Sequence, residues 1–369
     1  MDFSFSEEQE TVGKVARELF EHHATPERLT EVEADGLRHD ALLWSDLADA
    51  DLLGIGLPEA VGGSGGGFLE IATLLAEAGR SVAPVPVHAT LVLGADTIAR
   101  HGDVDQRRRH LTAVVAGRTV LTAALSEPGN SDPTAPRTTA HRDGDVWRLE
   151  GSKELVPAAQ LAETFVVSAR DESGPGLFLV ESIAAGVQLE AVATTNGEPY
   201  ADVDLVGAPA QRLGDGDGAE AVRSLYNRAL AGLCALQLGV TERALSLAAA
   251  YTAQREQFGR PIGSFQAVQQ RMADAFIDVE AIRWTTWHAA WLIAQGRPAD
   301  RDAAIAKFWA AEAGARVVAT AQQVHGGMGI DVTYPLSRYF LWAKQIELSL
   351  GSATQQLVRL GGTYSEGVR

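Results

Sequence analysis

The fold of this chain is most constrained by two changes in the periodicity of its apolar residues. Up to about residue 118, and again beyond Gly214, apolar residues recur every three or four positions, which is typical of amphipathic helices. Between these parts lie short runs with β-strand character, separated by Gly, Asp, Asn and Pro. The predicted strands are Val120–Leu125, Val146–Leu149, Thr164–Ala169, Leu177–Val180, Val187–Ala191 and Ala201–Leu205. This order predicts a β domain between two helical parts.

The N-terminal part contains a signal for the start of its first helix. Ser6 followed by Gln9 is a capping box, in which the two side chains satisfy each other's backbone N–H groups. Val12, Ala16 and Phe20 follow at helical spacing, so we predict a helix over residues 6–23. Further helices are predicted at Ala41–Ala50, Phe68–Gly79 and Thr90–His101.

The C-terminal part is rich in Ala and Leu and contains long helical patterns that end at Gly and Pro residues. The predicted helices cover approximately residues 217–254, 264–296, 300–325 and 335–361. We therefore expect a mainly α protein with a central antiparallel β barrel or sandwich and a C-terminal four-helix bundle. A chain of 369 residues accommodates two or three domains, and the expected ones are residues 1–118, 119–214 and 215–369.

Composition restricts the classes of partner. A formal net charge of -17 argues against nucleic acid and anionic membrane surfaces as partners. No run of 18 apolar residues exists and the first residues carry no apolar signal core, so we expect no membrane span and a cytoplasmic location. The single cysteine, Cys234, has apolar neighbours and is interpreted as a core residue. The scattered histidines show no zinc-ligand spacing, so no metal is expected.

Three segments carry a resemblance to a known family. They read SEPGNSD at Ser126–Asp132, REQFGRPIGSFQ at Arg255–Gln266 and QVHGGMG at Gln323–Gly329. In order and spacing they resemble the signature segments of the acyl-CoA dehydrogenase family of flavoproteins, and the similarity extends over essentially the whole chain. The resemblance implies FAD as the cofactor, an acyl-CoA as the ligand, an oligomer and an oxidoreductase that acts on a CH–CH bond.

In that family each flavin lies at a subunit interface. The resemblance implies that Arg255, Phe258 and Gln266 reach the flavin of a neighbouring subunit. Gln323, Gly326 and Gly327 would contact the same adenosine end. A guanidinium pairs well with pyrophosphate oxygens, and glycines allow close approach of backbone N–H groups. The structural alternative is a surface arginine in a turn, with glycines that serve only as helix caps.

The β-domain segments match the family less completely. The resemblance implies that Ser126 donates to a flavin oxygen and that Ser131 contacts the thioester ligand. The family commonly has Trp or Tyr, then an apolar residue, then Thr or Ser, where Leu155, Val156 and Pro157 stand here. The aromatic side chain and the hydroxyl that contact the flavin ring are both missing, and proline has no backbone donor. We therefore expect this chain's own β domain to retain a flavin poorly.

The family's catalytic glutamate has no counterpart at either of its usual positions. Alignment on Gly351 places Leu350 at the position of the common glutamate, and the position used by a second subgroup holds Ala229. A positioned general base contributes roughly 10²–10⁴ in rate, so its loss matters. Glu347, about one helical turn before Leu350, is a possible substitute, but the displacement favours a solvated or ion-paired residue.

The resemblance is thus to subunits that lack the usual glutamate. We expect a supporting subunit of a heteromeric acyl-CoA dehydrogenase in fatty acid or sterol degradation, with an electron-transferring flavoprotein as acceptor. One alternative is an independently active homo-oligomer that uses Glu347. Another alternative is a non-catalytic scaffold that retained only the fold.

Overall fold

The computed structural model describes the backbone of residues 4–366. Its first helix begins as the capping box predicts, because Gln9 N donates to Ser6 Oγ at 3.2 Å and Ser6 N donates to Gln9 Oε1 at 3.0 Å. Two further helices at residues 26–34 and 104–115 were missed by the sequence pattern. The N-terminal helices are α1 Glu7–His23, α2 Pro26–Ala34, α3 Ala41–Asp49, α4 Phe68–Ser81, α5 Thr97–His101 and α6 Val104–Val115.

The helix predicted at Thr90–His101 is divided in the structure. Residues His88–Asp96 form a π-helix, which continues directly into α5. Extended π-helices are rare and often occur at functional sites. Nε2 of His88 donates to the carbonyl oxygen of Ala229 at 3.1 Å, which joins the start of this segment to the C-terminal part of the chain.

The central sheet is a small closed barrel. Neighbouring strands follow the order β1-β4-β2-β3-β7-β5; β5 also pairs with β4, which closes the ring, and β6 adds to β7. Most pairs are antiparallel as expected, but β1 and β2 both run parallel to β4. The sequence pattern missed β2, whose residues after Ala140 are exposed and polar. The strands are β1 Leu121–Ala124, β2 Thr139–Asp143, β3 Val146–Val156, β4 Thr164–Asp171, β5 Gly174–Glu181, β6 Val187–Val192 and β7 Tyr200–Arg212.

The C-terminal part is a helical bundle built around one central helix. That helix, α7, packs against α4, α8 and α9, and almost every side chain in its middle is buried. A two-residue hairpin, β8 Glu256–Gln257 and β9 Arg260–Pro261, joins α7 to α8. The helices are α7 Gly218–Gln254, α8 Gln266–Ala294, α9 Asp300–His325, α10 Leu336–Leu348 and α11 Ala353–Glu366.

The predicted helix over residues 335–361 is wrong in one respect, because it is broken between α10 and α11. Ser349 has extended dihedrals, and Leu350 and Gly351 have φ of 53° and 102°. Positive φ in a leucine is rare and ends a helix. The predicted fold class is otherwise confirmed: helices on both sides of a central β barrel.

Candidate functional site

A cavity of about 750 Å³ lies where the barrel meets α7, α10 and α11. Five residues singled out in the sequence line it, although they come from three distant segments: Ser126, Ser131, Leu155, Pro157 and Leu350. The structure therefore brings together the two β-domain segments and the segment in which Leu350 stands at the position of the family's glutamate. Ala229 is buried on α7.

The loop that carries Ser126 and Ser131 is fixed by Glu127. This carboxylate is buried and accepts hydrogen bonds from Arg137 N at 2.7 Å and Thr138 N at 2.9 Å. It also accepts from Lys153 Nζ at 2.8 Å. Burial disfavours the charged carboxylate, but Lys153 and these donors outweigh burial and lower the pKa of Glu127 to about 2.

The same ion pair connects the two walls of the cavity. Lys153 lies on β3, is 1% exposed and also donates to Ser168 Oγ at 3.0 Å. Burial lowers the pKa of its ammonium group to about 8, although Glu127 opposes that shift. Because Lys153 lies two residues before Leu155, the pair holds the Ser126 loop against the strand end that carries Leu155.

The strand end at Leu155 and Pro157 has neither an aromatic side chain nor a side-chain hydroxyl. Leu155 has φ of 52°, is 46% exposed, and its N–H donates to Asp202 Oδ1 at 2.8 Å. Pro157 has no N–H, and its carbonyl oxygen accepts from Thr122 Oγ1 at 2.7 Å. The N–H of Leu155 and the carbonyl oxygen of Pro157 are thus both hydrogen-bonded within the protein.

Leu350 is held in position by its backbone. Its carbonyl oxygen accepts from Tyr226 OH and from Gln356 Nε2, each at 3.1 Å. Lys307, fully buried on α9, donates to the carbonyl oxygens of Glu347 at 3.1 Å and Gly351 at 3.0 Å. Burial lowers the pKa of Lys307 to about 8. Three buried side chains therefore fix the turn that presents an aliphatic side chain to the cavity.

Glu347 and Leu350 do not share a helical face in the structure. The helix ends at Leu348, and the turn rotates Leu350 away from the helical path. The Glu347 carboxylate pairs with Lys344 and is not part of the cavity lining. The carboxylates that do line the cavity are Asp132 and Glu154, which the sequence reasoning did not consider.

Asp132 is already engaged in a local turn. One of its oxygens accepts from Thr134 N at 3.0 Å and from Thr134 Oγ1 at 2.6 Å.

Two polar residues of α11, Gln356 and Arg359, also line the cavity, and the sequence analysis did not identify them. Gln356 and Arg359 are three positions apart, which places them on one face of a helix shortly after Leu350. This spacing was the signal in the sequence that could have identified them.

A second surface, separate from the cavity, is formed by the β8–β9 hairpin. Phe258 and Gly259 occupy its two turn positions with φ of 55° and 77°. Both positions of such a turn require positive φ, which costs a phenylalanine of order 1–3 kcal/mol. Phe258 is nevertheless 93% exposed. Arg255, just before the hairpin, is exposed and has no acidic partner among the described residues.

The glycine turn after α9 lies against the end of α7. His325 is buried; its Nδ1 donates to Ala321 O at 2.7 Å, and its Nε2 accepts from Tyr334 OH at 3.2 Å. Its ring also stacks on Tyr251, one turn before Arg255. The remaining residues predicted to bind nucleotide are exposed: Gln266, Gln323, Gly326 and Gly327.

The described part of the chain, residues 4–366, contains neither a candidate membrane span nor a candidate metal cluster. No helix within it is long and apolar enough to cross a membrane. Within the same residues, no group of three or more His, Cys, Asp or Glu side chains is arranged to hold a metal ion. Cys234 is buried, and burial raises the pKa of its thiol to about 12.

Comparison with known proteins gives matches along most of the chain. The acyl-CoA dehydrogenase N-terminal domain matches residues 6–118, the middle domain residues 122–204 and the C-terminal domain residues 216–361. "Acyl-CoA dehydrogenase FadE27" of Mycobacterium tuberculosis is 40% identical over 377 residues, covering 99% of each chain.

Solved structures agree with these matches. A Tcur3481-Tcur3483 steroid ACAD variant is 46% identical with a TM-score of 0.94, covering 98% of this chain and 99% of that chain. The ChsE4-ChsE5 complex from Mycobacterium tuberculosis contains a chain that is 40% identical with a TM-score of 0.94, covering 99% of both. This chain belongs to the acyl-CoA dehydrogenase family of FAD-dependent oxidoreductases.

Proposed function

We propose that this chain is the supporting subunit of a heteromeric acyl-CoA dehydrogenase that dehydrogenates a CoA thioester between its α and β carbons. In this proposal a second, glutamate-bearing subunit contains the reacting centre. The present chain completes the adenosine end of that subunit's FAD. When bound, FAD supplies the hydride acceptor of the reaction.

The observation that carries the proposal is the fixed position of Leu350. Its carbonyl oxygen and the adjoining carbonyl groups accept hydrogen bonds from Tyr226, Gln356 and Lys307. A general base must come within about 3 Å of the proton it removes. A pinned backbone that presents an aliphatic side chain cannot remove that proton, and Glu347 is paired with Lys344 outside the cavity.

The residues of this chain's own β domain do not fit a flavin ring at one edge. Leu155 and Pro157 offer no aromatic face and no hydroxyl, and the Leu155 N–H is already bonded to Asp202. The lining residue Ser126 retains a hydroxyl, but one donor does not replace the missing group. These contacts support the proposal that this chain retains flavin poorly by itself.

The exposed hairpin fits the tail of a partner's FAD. Arg255 would pair with a pyrophosphate, and Phe258 would pack against the partner or the nucleotide. The Phe258 ring is 93% exposed, and a partner that covers it would remove the cost of exposing its apolar surface. Gln266, Gln323, Gly326 and Gly327 would complete this surface, because Tyr251 and His325 hold the two segments together.

The related structures suggest the substrate class and the assembly. One solved relative is a Tcur3481-Tcur3483 steroid ACAD variant, and another is the ChsE4-ChsE5 complex. By extension, we propose a bulky steroid-derived acyl-CoA as substrate and a hetero-oligomer as the active form. Ser131 would contact the ligand at the cavity mouth. An electron-transferring flavoprotein as acceptor and a cytoplasmic location complete the proposal.

The test is co-expression with a glutamate-bearing acyl-CoA dehydrogenase subunit. The complex should be yellow and should reduce an artificial acceptor with a steroid-CoA substrate, whereas this chain alone should be flavin-poor and inactive. Arg255→Ala should lower the flavin content of the complex several-fold. Arg108→Ala, which removes an exposed arginine on α6, is the matched control.

Two other outcomes would favour the alternatives. Bound flavin and turnover by this chain alone, abolished by Glu347→Gln, would establish an independent homo-oligomer. Failure of every pairing to bind flavin would establish a scaffold. Unchanged flavin content in the Arg255→Ala complex would contradict the proposed role of the hairpin.

A further inference from the structure

The segment that joins β6 to β7, residues 193–199, forms one wall of the large cavity, and we call it the strap. Ala193, Thr194 and Thr195 line the cavity. The strap is joined to α10 by hydrogen bonds to one side-chain atom, Oε1 of Gln345. Thr195 N donates to this oxygen at 3.3 Å and Thr195 Oγ1 donates to it at 3.0 Å. The wall is thus held closed by side-chain contacts with a helix.

The strap is also held by Arg38, which lies in the loop before α3. Arg38 Nη1 donates to the carbonyl oxygen of Asn196 at 3.1 Å. The next residue, Gly197, has φ of 73°, and a Cβ atom there would lie 2.0 Å from Arg38 Nη1. Only glycine therefore allows the strap to pass this close to the guanidinium group.

Glu198 follows directly, and it lines a second cavity of only about 40 Å³. This volume holds only a few water molecules. Glu198 Oε2 accepts from Asn196 Nδ2 at 2.6 Å, and no cationic side chain among the described residues pairs with the carboxyl group. A carboxylate without a cation and with little water is disfavoured, so burial raises the pKa of Glu198 from an ordinary value of 4.5 to about 7.

The other titratable groups around the small cavity do not compensate an ionised Glu198. The guanidinium group of Arg38 is hydrogen-bonded to the strap backbone. Burial lowers the pKa of His39, lowers that of His88 to about 4 and raises that of Tyr200, so these three groups are uncharged at neutral pH. The side chains that α4, α7 and α10 contribute to the lining carry no charge.

We propose that protonated Glu198 keeps the strap closed against α10 and Arg38, and that ionisation of Glu198 releases the strap and opens this wall of the large cavity. An ionised carboxylate regains its hydration only when the strap moves into water. As the pH rises from about 4.5 to about 7, the open form loses the proton before the closed form does, so opening becomes more favourable. This control does not rest on the proposed role at a partner's FAD, because it involves neither the β8–β9 hairpin nor the glycine turn.

The test is hydrogen–deuterium exchange of the full-length chain between pH 5 and pH 8, followed by mass spectrometry and corrected for the intrinsic pH dependence of amide exchange. The amides of Thr195, Gly197 and Glu198 are hydrogen-bonded in the closed strap and report on its opening. In the wild type their protection should fall at least tenfold between pH 5 and pH 7.5. In Glu198→Gln it should not fall, because the amide does not ionise and still accepts from Asn196.

A matched control and a second variant complete the test. Glu190→Gln, at an exposed position of β6, should behave as the wild type does. Thr195→Val removes the hydroxyl that donates to Gln345, so it should lower protection at every pH and leave the pH dependence in place. Any effect of His39 on the profile persists in Glu198→Gln, so the difference between wild type and variant belongs to Glu198.

Three results would overturn the proposal. The first is wild-type protection that stays constant between pH 5 and pH 7.5, which decides even if Glu198→Gln folds poorly. The second is a Glu198→Gln chain that loses protection with pH as the wild type does. The third is a Thr195→Val chain with wild-type protection at every pH, because the strap would then not be held by α10.

Discussion

The imidazole of His325 stacks on the phenol ring of Tyr251, with centroids 4.3 Å apart and ring planes at 25°. Tyr251 lies one turn before Arg255 at the end of α7, and His325 directly precedes Gly326 at the end of α9. The stack joins the two segments that we propose to bind one nucleotide. The position of the proposed FAD surface thus depends on a contact within the helical bundle.

Replacing His325 tests this dependence. His325→Leu leaves Ala321 O and Tyr334 OH without their partner, so the free energy of unfolding should fall by about 1–3 kcal/mol. The heteromeric complex should also retain less FAD, measured by flavin absorbance per chain. His141→Leu, on the exposed face of β2, is the control. A destabilised variant whose complex keeps its full flavin content would separate the two effects and contradict the link.

Replacing Lys153 tests the ion pair beneath the cavity. Lys153→Met leaves Glu127 as an uncompensated buried charge. The free energy of unfolding, measured by urea denaturation, should therefore fall by about 3–5 kcal/mol. The double variant Lys153→Met/Glu127→Gln should recover part of that loss. Arg148→Met breaks the exposed pair with Asp143 and should cost less than about 1 kcal/mol. An equal cost for Lys153→Met and Arg148→Met would show that the buried pair does not hold the cavity walls.

The buried Lys307 predicts a pH dependence of stability. Burial lowers its pKa to about 8, from an ordinary value of 10.5. Between these values the folded state binds fewer protons than the unfolded state, so this group makes stability rise with pH. Below pH 8 both states are protonated, and the full cost of burying the ammonium group is present.

The dependence is measured by comparison with Lys307→Met. The free energy of unfolding of the wild type minus that of Lys307→Met should increase by about 1–3 kcal/mol between about pH 7.5 and pH 10.5. Lys344→Met is the control, because the Lys344 side chain is partly exposed. Its free energy of unfolding should depend on pH as that of the wild type does. A difference that is flat or falls with pH would show that Lys307 is not buried as an ammonium group.

Leu350→Glu tests whether only the base is missing. The turn is held through backbone carbonyl groups, so a glutamate at this position would face the cavity without loss of the Tyr226 and Gln356 hydrogen bonds. We expect the purified variant to remain inactive by itself, because Leu155 and Pro157 still provide no flavin contacts. Acyl-CoA oxidation by the variant alone, at a rate tenfold above that of the wild type, would contradict this.

The fold could be predicted because its apolar patterns are long and the periodicity changes clearly. The break at Leu350 could not, because it depends on tertiary hydrogen bonds from Tyr226, Lys307 and Gln356 to backbone carbonyl groups. Local sequence in this stretch is compatible with a continuous helix until Gly351. Strand β2 was missed for a related reason. It is stabilised by backbone hydrogen bonds to β3, whereas its polar side chains show no strand pattern in the sequence.

The cavity could be predicted in part. Ser126, Ser131, Leu155, Pro157 and Leu350 were selected by resemblance, and the structure places them around one space. Arg359 and Gln356 were not selected, because their position depends on how α11 packs beside the cavity, and this packing cannot be seen in a sequence. The roles of the exposed hairpin residues remain predictions.

The central claim is that this chain serves a partner's FAD and retains little of its own, and the most direct test is the flavin-to-chain ratio of the purified heteromeric complex. Flavin absorbance against total protein, with subunit stoichiometry from native mass spectrometry, gives this ratio. The account predicts one FAD for each pair of unlike chains and a flavin-poor chain when it is purified alone. One FAD for every chain in the complex, with flavin retained by this chain alone, would contradict it.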